Sequence, residues 1–523
     1  MSQEHNGTST VPLIPRRILF GNPVNASPQI SPDGTRLAYL APHNEVLNVW
    51  IAELDADDKP TAASVLTGDT NRGIRQYFWG KDGQHILYVQ DMDGNENWHL
   101  YATHLQSHET RDLTPFDNVQ VRLVAQSKRF PNEILVGLNQ ENPQIHDVYH
   151  LDLTTGELKL DTKNPGTIVD WIADADYKVR AAMAVTPSGG SELLVRENVQ
   201  EEWKQLLSWE SEDLHSSQAF GFTLDGQSLF LEDSRDFNTG RLIKLNLASG
   251  EKIVLAEDPQ YDMTTVIVNP DTYEIQAAAF TRDHLEWEVL DQTIKLDFDM
   301  IREIHRGDFL LASRNNADTR WVVAFTVDNG PVPFYLYNRE TRSASFLFVN
   351  QPELANYTLA VSEPISFTSR DDLEVHGYLT RPVGTEQGNL PMVLNVHGGP
   401  WVRDNWGYNP EAQWLANRGY ACLQINYRGS SGYGKQFLNA GNKEWGRNMH
   451  NDLIDGVEWA VKQGIADPKR IAIYGGSYGG YAALVGATFT PDVFCCAVDI
   501  VGPSNLITLM NLSNSFLQRF ATT

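Results

Sequence analysis

Basic residues are scarce in this chain. It carries 41 Lys and Arg against 67 Asp and Glu, a formal net charge of −26. Nucleic acids and anionic membranes select the opposite balance, so neither is an expected partner. Cysteine is scarcer still, with only Cys422, Cys495 and Cys496. Three thiols make no disulfide framework, and cytoplasmic residence is the expectation they support. The adjacent pair lies in the apolar run VFCCAVDIV and reads as buried strand rather than a redox or metal site. No window approaches the ~18 uninterrupted apolar residues of a membrane-spanning helix. The first twenty residues lack the charged-then-apolar order of a signal peptide. Histidine is missing from one critical place: none follows Ser477, and the last in the chain is His450.

What is present divides in two, as 523 residues should. In the first 350 residues one pattern recurs. SPDGTRLAYL at 31–40 returns as WGKDGQHILYV at 79–89 and TLDGQSLFLE at 223–232, each an Asp-Gly turn leading into an alternating strand. Weaker cognates place the first apolar strand position at Leu37, Ile86, Ile134, Val179, Leu229, Ile275 and Trp321, in steps of about 45 to 50 residues. Second strands such as NVWIAEL, WHLYATHL and RLIKLNLASGE lie between them. Four short strands per unit of this length predict an all-β propeller of seven blades over 22–350, after an N-terminal extension at 1–21. A pair of β-sandwiches would not produce the regular step. Scattered residues such as Asp91 and His146 have no metal-ligand spacing and read as turn and surface residues, so no metal or cofactor is expected.

From 351 to 523 strands alternate with helices, which implies a mainly parallel sheet. PISFTSRDDLEVHGYLTRP reads as an antiparallel pair around Arg370-Asp371-Asp372. PMVLNVHGGP and YACLQINYRG read as buried strands, and PEAQWLANRG as a helix stopped by Gly419. MHNDLIDGVEWAVKQG reads as an amphipathic helix with Asp452 and Asp455 near its positive end. Residues 471–484, IAIYGGSYGGYAAL, combine an apolar strand, a G-x-S-x-G turn and an Ala/Leu-rich helix. That is the context of a nucleophile elbow, with Ser477 as the nucleophile and the small residues Gly475, Gly479 and Gly480 letting strand and helix approach. His397-Gly398-Gly399-Pro400 fits the loop that supplies an oxyanion-hole N–H, the other donor being the N–H of Tyr478. His397 precedes the nucleophile and reads as a loop-shaping residue rather than the base.

Together VHGGPWVRD, INYRGSSGYG and YGGSYGGYAAL resemble the prolyl oligopeptidase family of serine peptidases, most of all its acylaminoacyl-peptidase and dipeptidyl-aminopeptidase branch. The resemblance implies a propeller followed by an α/β-hydrolase domain. It also implies Ser477 as nucleophile, the N–H groups of Gly399 and Tyr478 as oxyanion hole, and oligopeptide substrates cleaved without cofactor in a cavity between the domains. Family members carry a triad Asp and His further on. This sequence has no counterpart for either, since Asp492 and Asp499 lie too close to the elbow and read as loop and strand-end residues. The hydrolase domain is therefore expected to be C-terminally truncated and the chain inactive alone. Two alternatives to a peptidase stand beside this reading, a non-catalytic propeller serving as a binding scaffold and a carboxylesterase.

Overall fold

A computed structural model describes residues 11–385 and 388–512. Seven small antiparallel sheets occupy residues 26–65, 76–112, 121–162, 168–209, 218–256, 263–289 and 308–349, and form the seven blades of a propeller. All seven apolar anchors fall in the second strand of their blades, and all are buried. The turn before that strand explains the Asp-Gly repeat. Gly34, Gly83 and Gly226 take positive φ, while Asp33, Asp82 and Asp225 each accept the N–H two residues on. Each blade buries its faces against its neighbours. Leu87 of blade 2, for example, shares a cluster with Ile134 and Leu151 of blade 3.

The expectation of four strands fails in the sixth blade, which has three. The fourth position is taken by a 3-10 turn and the helix Lys295–Arg302. Asp291 caps this segment by accepting the Thr293 N–H at 2.9 Å. Ile294, Phe298 and Ile301 then pack on Phe309, Trp321 and Phe325 of blade 7. Asp91 is also not the surface residue expected; it is buried, with Arg72 Nε at 3.2 Å.

The second domain is a six-stranded sheet of β1 (Ser362–Thr368), β2 (Glu374–Thr380), β3 (Leu390–Val396), β4 (Ala421–Asn426), β5 (Ala466–Gly476) and β6 (Cys496–Ile500). Its order is β1-β2-β4-β3-β5-β6, antiparallel through β1, β2 and β4 and parallel thereafter. This is the α/β-hydrolase arrangement. The core runs from Val375 and Leu379 through Leu394, Leu423 and Ile425 to Leu453, Val457 and Ile473.

Cys495 and Cys496, expected in a buried strand, are exposed. β6 pairs only with β5 among the described residues, and Val498 and Ile500 are exposed as well. The strand packs on the helix Tyr478–Phe489 and on β5, and its other edge is unpaired among the described residues. An unpaired apolar edge is a template for strand addition. Self-association is therefore expected, and sedimentation velocity should show an increase with concentration that Val498→Lys suppresses. One monomer boundary at every concentration would refute this.

Residues 11–21 pack on the hydrolase side. Ile14, Ile18 and Leu19 join Leu354 and Leu359, and Ile14 N–H donates to Asn417 Oδ1 at 2.7 Å. The propeller meets the hydrolase at the connections after blades 4 and 5, at blade 6 and at the turn holding Asp328 in blade 7. Arg403 donates to the Thr281 and Arg282 carbonyls at 2.8 and 3.0 Å, and Lys435 reaches Asp213 at 2.8 Å. Asp262 accepts from Gly240 N–H at 2.7 Å in the propeller and from Gly434 N–H at 3.1 Å in the hydrolase.

Buried beside Gly240 is Glu232, which accepts from Gln218 at 3.1 Å. Burial, with the Asp262 carboxylate adding, pushes Glu232 up from 4.5 to about 8. The folded protein keeps a proton that the unfolded chain releases, so this contribution to stability is full below pH 4.5 and declines until about pH 8. Glu232→Gln is expected to raise the unfolding free energy at pH 8.5 by about 1–3 kcal/mol, and by much less at pH 5. Urea unfolding at both pH values checks this, and an equal effect at both would refute it.

Candidate active site

β5 ends at Gly476 and the helix Tyr478–Phe489 begins two residues later. Between them Ser477 is held at φ 56° and ψ −119°, a region costly for any residue with a Cβ. Two backbone hydrogen bonds fix it there: Ser477 N–H donates to the Ile500 carbonyl at 2.9 Å, and Tyr481 N–H to the Ser477 carbonyl at 3.0 Å. The glycines are required by close approach. A methyl on Gly479 would drive into the Val396 carbonyl oxygen, and one on Gly475 would lie 2.6 Å from the same atom. The strained turn, with glycine on both sides, has the strand–turn–helix geometry that the elbow pattern predicts.

The loop after β3 closes on this elbow. A Cβ built on Gly398 would lie 3.4 Å from Ser477 Cβ and 4.0 Å from its Oγ. Gly399 takes φ 108°, which favours glycine, and precedes a cis peptide bond to Pro400. Gly399, Tyr478 and Ser477 thus belong to two loops in contact. The Tyr478 ring is buried, 4.6 Å from Trp445 and 5.1 Å from Tyr427 between centroids.

The histidines are engaged elsewhere. His397 stacks on Tyr427 at 4.5 Å, its Nδ1 lies 2.8 Å from the Gly398 carbonyl oxygen, and its Nε2 lies 3.1 Å from Ser430 Oγ. Burial lowers its pKa. His450 Nε2 lies 3.0 Å from Thr490 Oγ1, and burial pushes its pKa down to about 4. Asp499 accepts the Gly502 N–H at 2.7 Å, as a strand-end residue does, and Asp492 is exposed in a turn. Among the described residues no cluster of three or more His, Cys, Asp or Glu is placed to hold a metal, and no helix is long and apolar enough to cross a membrane.

Sequence reasoning missed the ion pairs that join the end of β4 to the β1–β2 turn and to the helix Asn448–Lys462. Arg428, after β4, donates to Asp452 from its backbone N–H, from Nε and from Nη2 at 2.9, 2.9 and 2.7 Å. It also donates to both oxygens of Asp371 at 2.8 and 2.7 Å. Asp452 therefore serves this ion pair rather than only a helix dipole, and Asp455 pairs with Arg370 at 2.7 Å. The signal was the arginine in INYRG, whose partners lie 57 and 24 residues away. Asp404 is half-buried behind the His397 loop, its pKa raised by desolvation.

Fold and site define a serine hydrolase of the α/β class beneath a seven-bladed propeller. The profile described as Peptidase_S9, the prolyl oligopeptidase family, matches residues 406–522. The chain is 43% identical over 506 residues to dipeptidyl aminopeptidase BIII of Pseudoxanthomonas mexicana, covering 95% of this chain and 73% of that protein. It is 32% identical to dipeptidyl peptidase family member 6 of Caenorhabditis elegans, covering 96% and 72%. The solved structure of a Mycobacterium tuberculosis puromycin-hydrolyzing peptidase superposes with a TM-score of 0.74 at 16% identity, covering 97% of this chain and 82% of that one. The chain belongs to the prolyl oligopeptidase family of serine peptidases.

Proposed function

We propose that Ser477 is the nucleophile of a peptidase that cleaves short or N-acylated peptides through an acyl-enzyme. The observation that carries this reading is the serine at a left-handed elbow, with the Gly398–Gly399 loop against it. Oγ attacks the scissile carbonyl carbon and gives its proton to a base. The carbonyl oxygen becomes an oxyanion, held by the N–H groups of Gly399 and Tyr478. The leaving amine takes the proton, and water then hydrolyses the ester on Ser477. These steps need no cofactor. The names of the two curated relatives support peptides as substrates. Because no histidine follows Ser477, the 523-residue chain by itself is assigned little peptidase activity. Cytoplasmic residence accords with three free thiols.

The test extends this chain at its C terminus with the corresponding downstream segment of the Pseudoxanthomonas mexicana relative. Dipeptidyl and N-acyl-aminoacyl anilides should be turned over, with a loss on the order of 10⁴-fold or more in Ser477→Ala. Ester turnover without anilide turnover would favour the carboxylesterase, and no turnover of either would favour a scaffold.

A further inference from the structure

The first strands of the blades face the propeller axis, where those of blades 3, 4 and 5 touch in turn. Two cavities meet on this inner wall. One, of 1030 Å³, is lined by blades 1 to 3. The other, of 670 Å³, lies between blades 3 and 4 and the hydrolase, where Trp401 and Leu438 close it. Both are lined by Arg122 and Leu123 of the strand Val121–Gln126. Trp401 is two residues beyond Gly399, so the smaller cavity reaches the loop that contacts Ser477.

The charge on this wall is of the rarer sign. Arg72, in the larger cavity, is neutralised by Asp91 at 3.2 Å. Arg75 and Arg122 are not. Arg75 makes no hydrogen bond or ion pair among the described residues, and the one side-chain hydrogen bond of Arg122 goes to the neutral Gln120 Oε1 at 3.4 Å. Among the described residues Arg75 is thus unpaired, and Arg122 has beside it only the charge of Asp170, which it favours without an ion-pair contact. Two titratable groups face Arg122 from neighbouring segments. Asp170 accepts the Trp171 N–H at 2.9 Å without an ion pair to Arg122. His146 is held down at about 4 by burial, with Arg122 adding, and stays uncharged at neutral pH.

We infer that Arg122 and Arg75 bind a carboxylate of the peptide, and so select substrates that carry an anionic group on the propeller side of the scissile bond. A guanidinium presents paired N–H donors that match the two oxygens of a carboxylate, and low-dielectric walls concentrate its field. The carboxylate comes from the peptide C terminus or from an acidic side chain. The inference rests on the peptide reading above and adds the chemistry that the chamber selects.

Calorimetric titration of the 523-residue Ser477→Ala chain tests it without requiring turnover. The probes are a short peptide as free acid and as C-terminal amide, and the amide with Glu or Gln at its third position. An anionic probe should bind about tenfold more tightly than its neutral twin, as one charge-assisted contact provides. The preference should shrink at high salt. It should fall within about twofold in the Arg122→Ala and Arg75→Ala double variant, with Arg122→Lys between. Preference for the free acid assigns the C terminus, and preference for Glu assigns a side chain. Equal binding of acid and neutral forms, or a preference that survives the double substitution, overturns this inference and leaves the peptide reading standing. Failure of every probe to bind overturns the peptide reading and the inference with it.

Discussion

Fluorophosphonate labelling of the 523-residue chain is expected to be slower than that of the C-terminally extended chain by on the order of 10⁴-fold or more. A serine hydroxyl at neutral pH is protonated and a weak nucleophile until a base accepts its proton. Neither nearby histidine in sequence is placed to do so. His397 has both ring nitrogens engaged, to the Gly398 carbonyl and to Ser430. His450 is tied to Thr490 and is uncharged, with a pKa near 4. A neutral imidazole could accept a proton, but Ser477 Oγ makes no hydrogen bond to a histidine among the described residues. The strained serine turn and the Gly398–Gly399 loop against it are in place, so the residual rate expected of the proposed oxyanion hole remains. The comparison needs three proteins: this chain, its Ser477→Ala variant and the extended chain. Labelling of this chain within minutes, lost in Ser477→Ala, would mean that a base is already present and would overturn the prediction.

The second large effect is structural. Arg428→Met is expected to cost the hydrolase domain about 3–5 kcal/mol. Arg428 is buried and joins three elements: the β1–β2 turn through Asp371, the loop after β4, and the helix Asn448–Lys462 through Asp452. Its guanidinium holds Asp371 well below the usual carboxylate range. The cost arises because Asp452, fully buried, is left as an unpaired charge. A second variant separates that cause from lost packing. Arg428→Met with Asp452→Leu removes both charges and should recover most of the loss. Calorimetry should show the hydrolase transition moving down in Arg428→Met while the propeller transition stays. A single substitution that costs under about 1 kcal/mol, or a double variant no better than the single, would refute the account.

Neighbouring residues decide what the sequence could say. The seven anchors were legible because a strand's period is local, and each blade repeats the same turn chemistry. The elbow was legible for the same reason: strand, Ser477, flanking glycines and helix lie within fourteen residues, and their spacing encodes the strain. The sixth blade was misread because a strand and a short helix compete for one segment, and the packing of Phe298 and Ile301 on blade 7 is not local in sequence. Cys495 and Cys496 were misread because burial depends on a neighbouring layer, which composition alone does not reveal. Arg75 and Arg122 were silent, and the arginine of INYRG gave no hint of its partners, because their importance lies in partners gained or absent across long sequence separations.

The chain enters and leaves the propeller at a single point. Val24 N–H donates to the Asn350 carbonyl at 2.9 Å, and Gln351 Nε2 reaches the Gly21 carbonyl at 3.2 Å. The residues before this crossing already lie on the hydrolase, as do those after it. Topologically the propeller is a cassette inserted into another domain's loop rather than a bead ahead of it. Folding of the hydrolase must therefore bring together segments that emerge from synthesis more than three hundred residues apart. Because the two ends of the cassette touch, the loop closure that this demands is completed by the propeller ring itself. A chain with residues 24–350 replaced by a few glycines would keep both ends of the hydrolase within reach of each other.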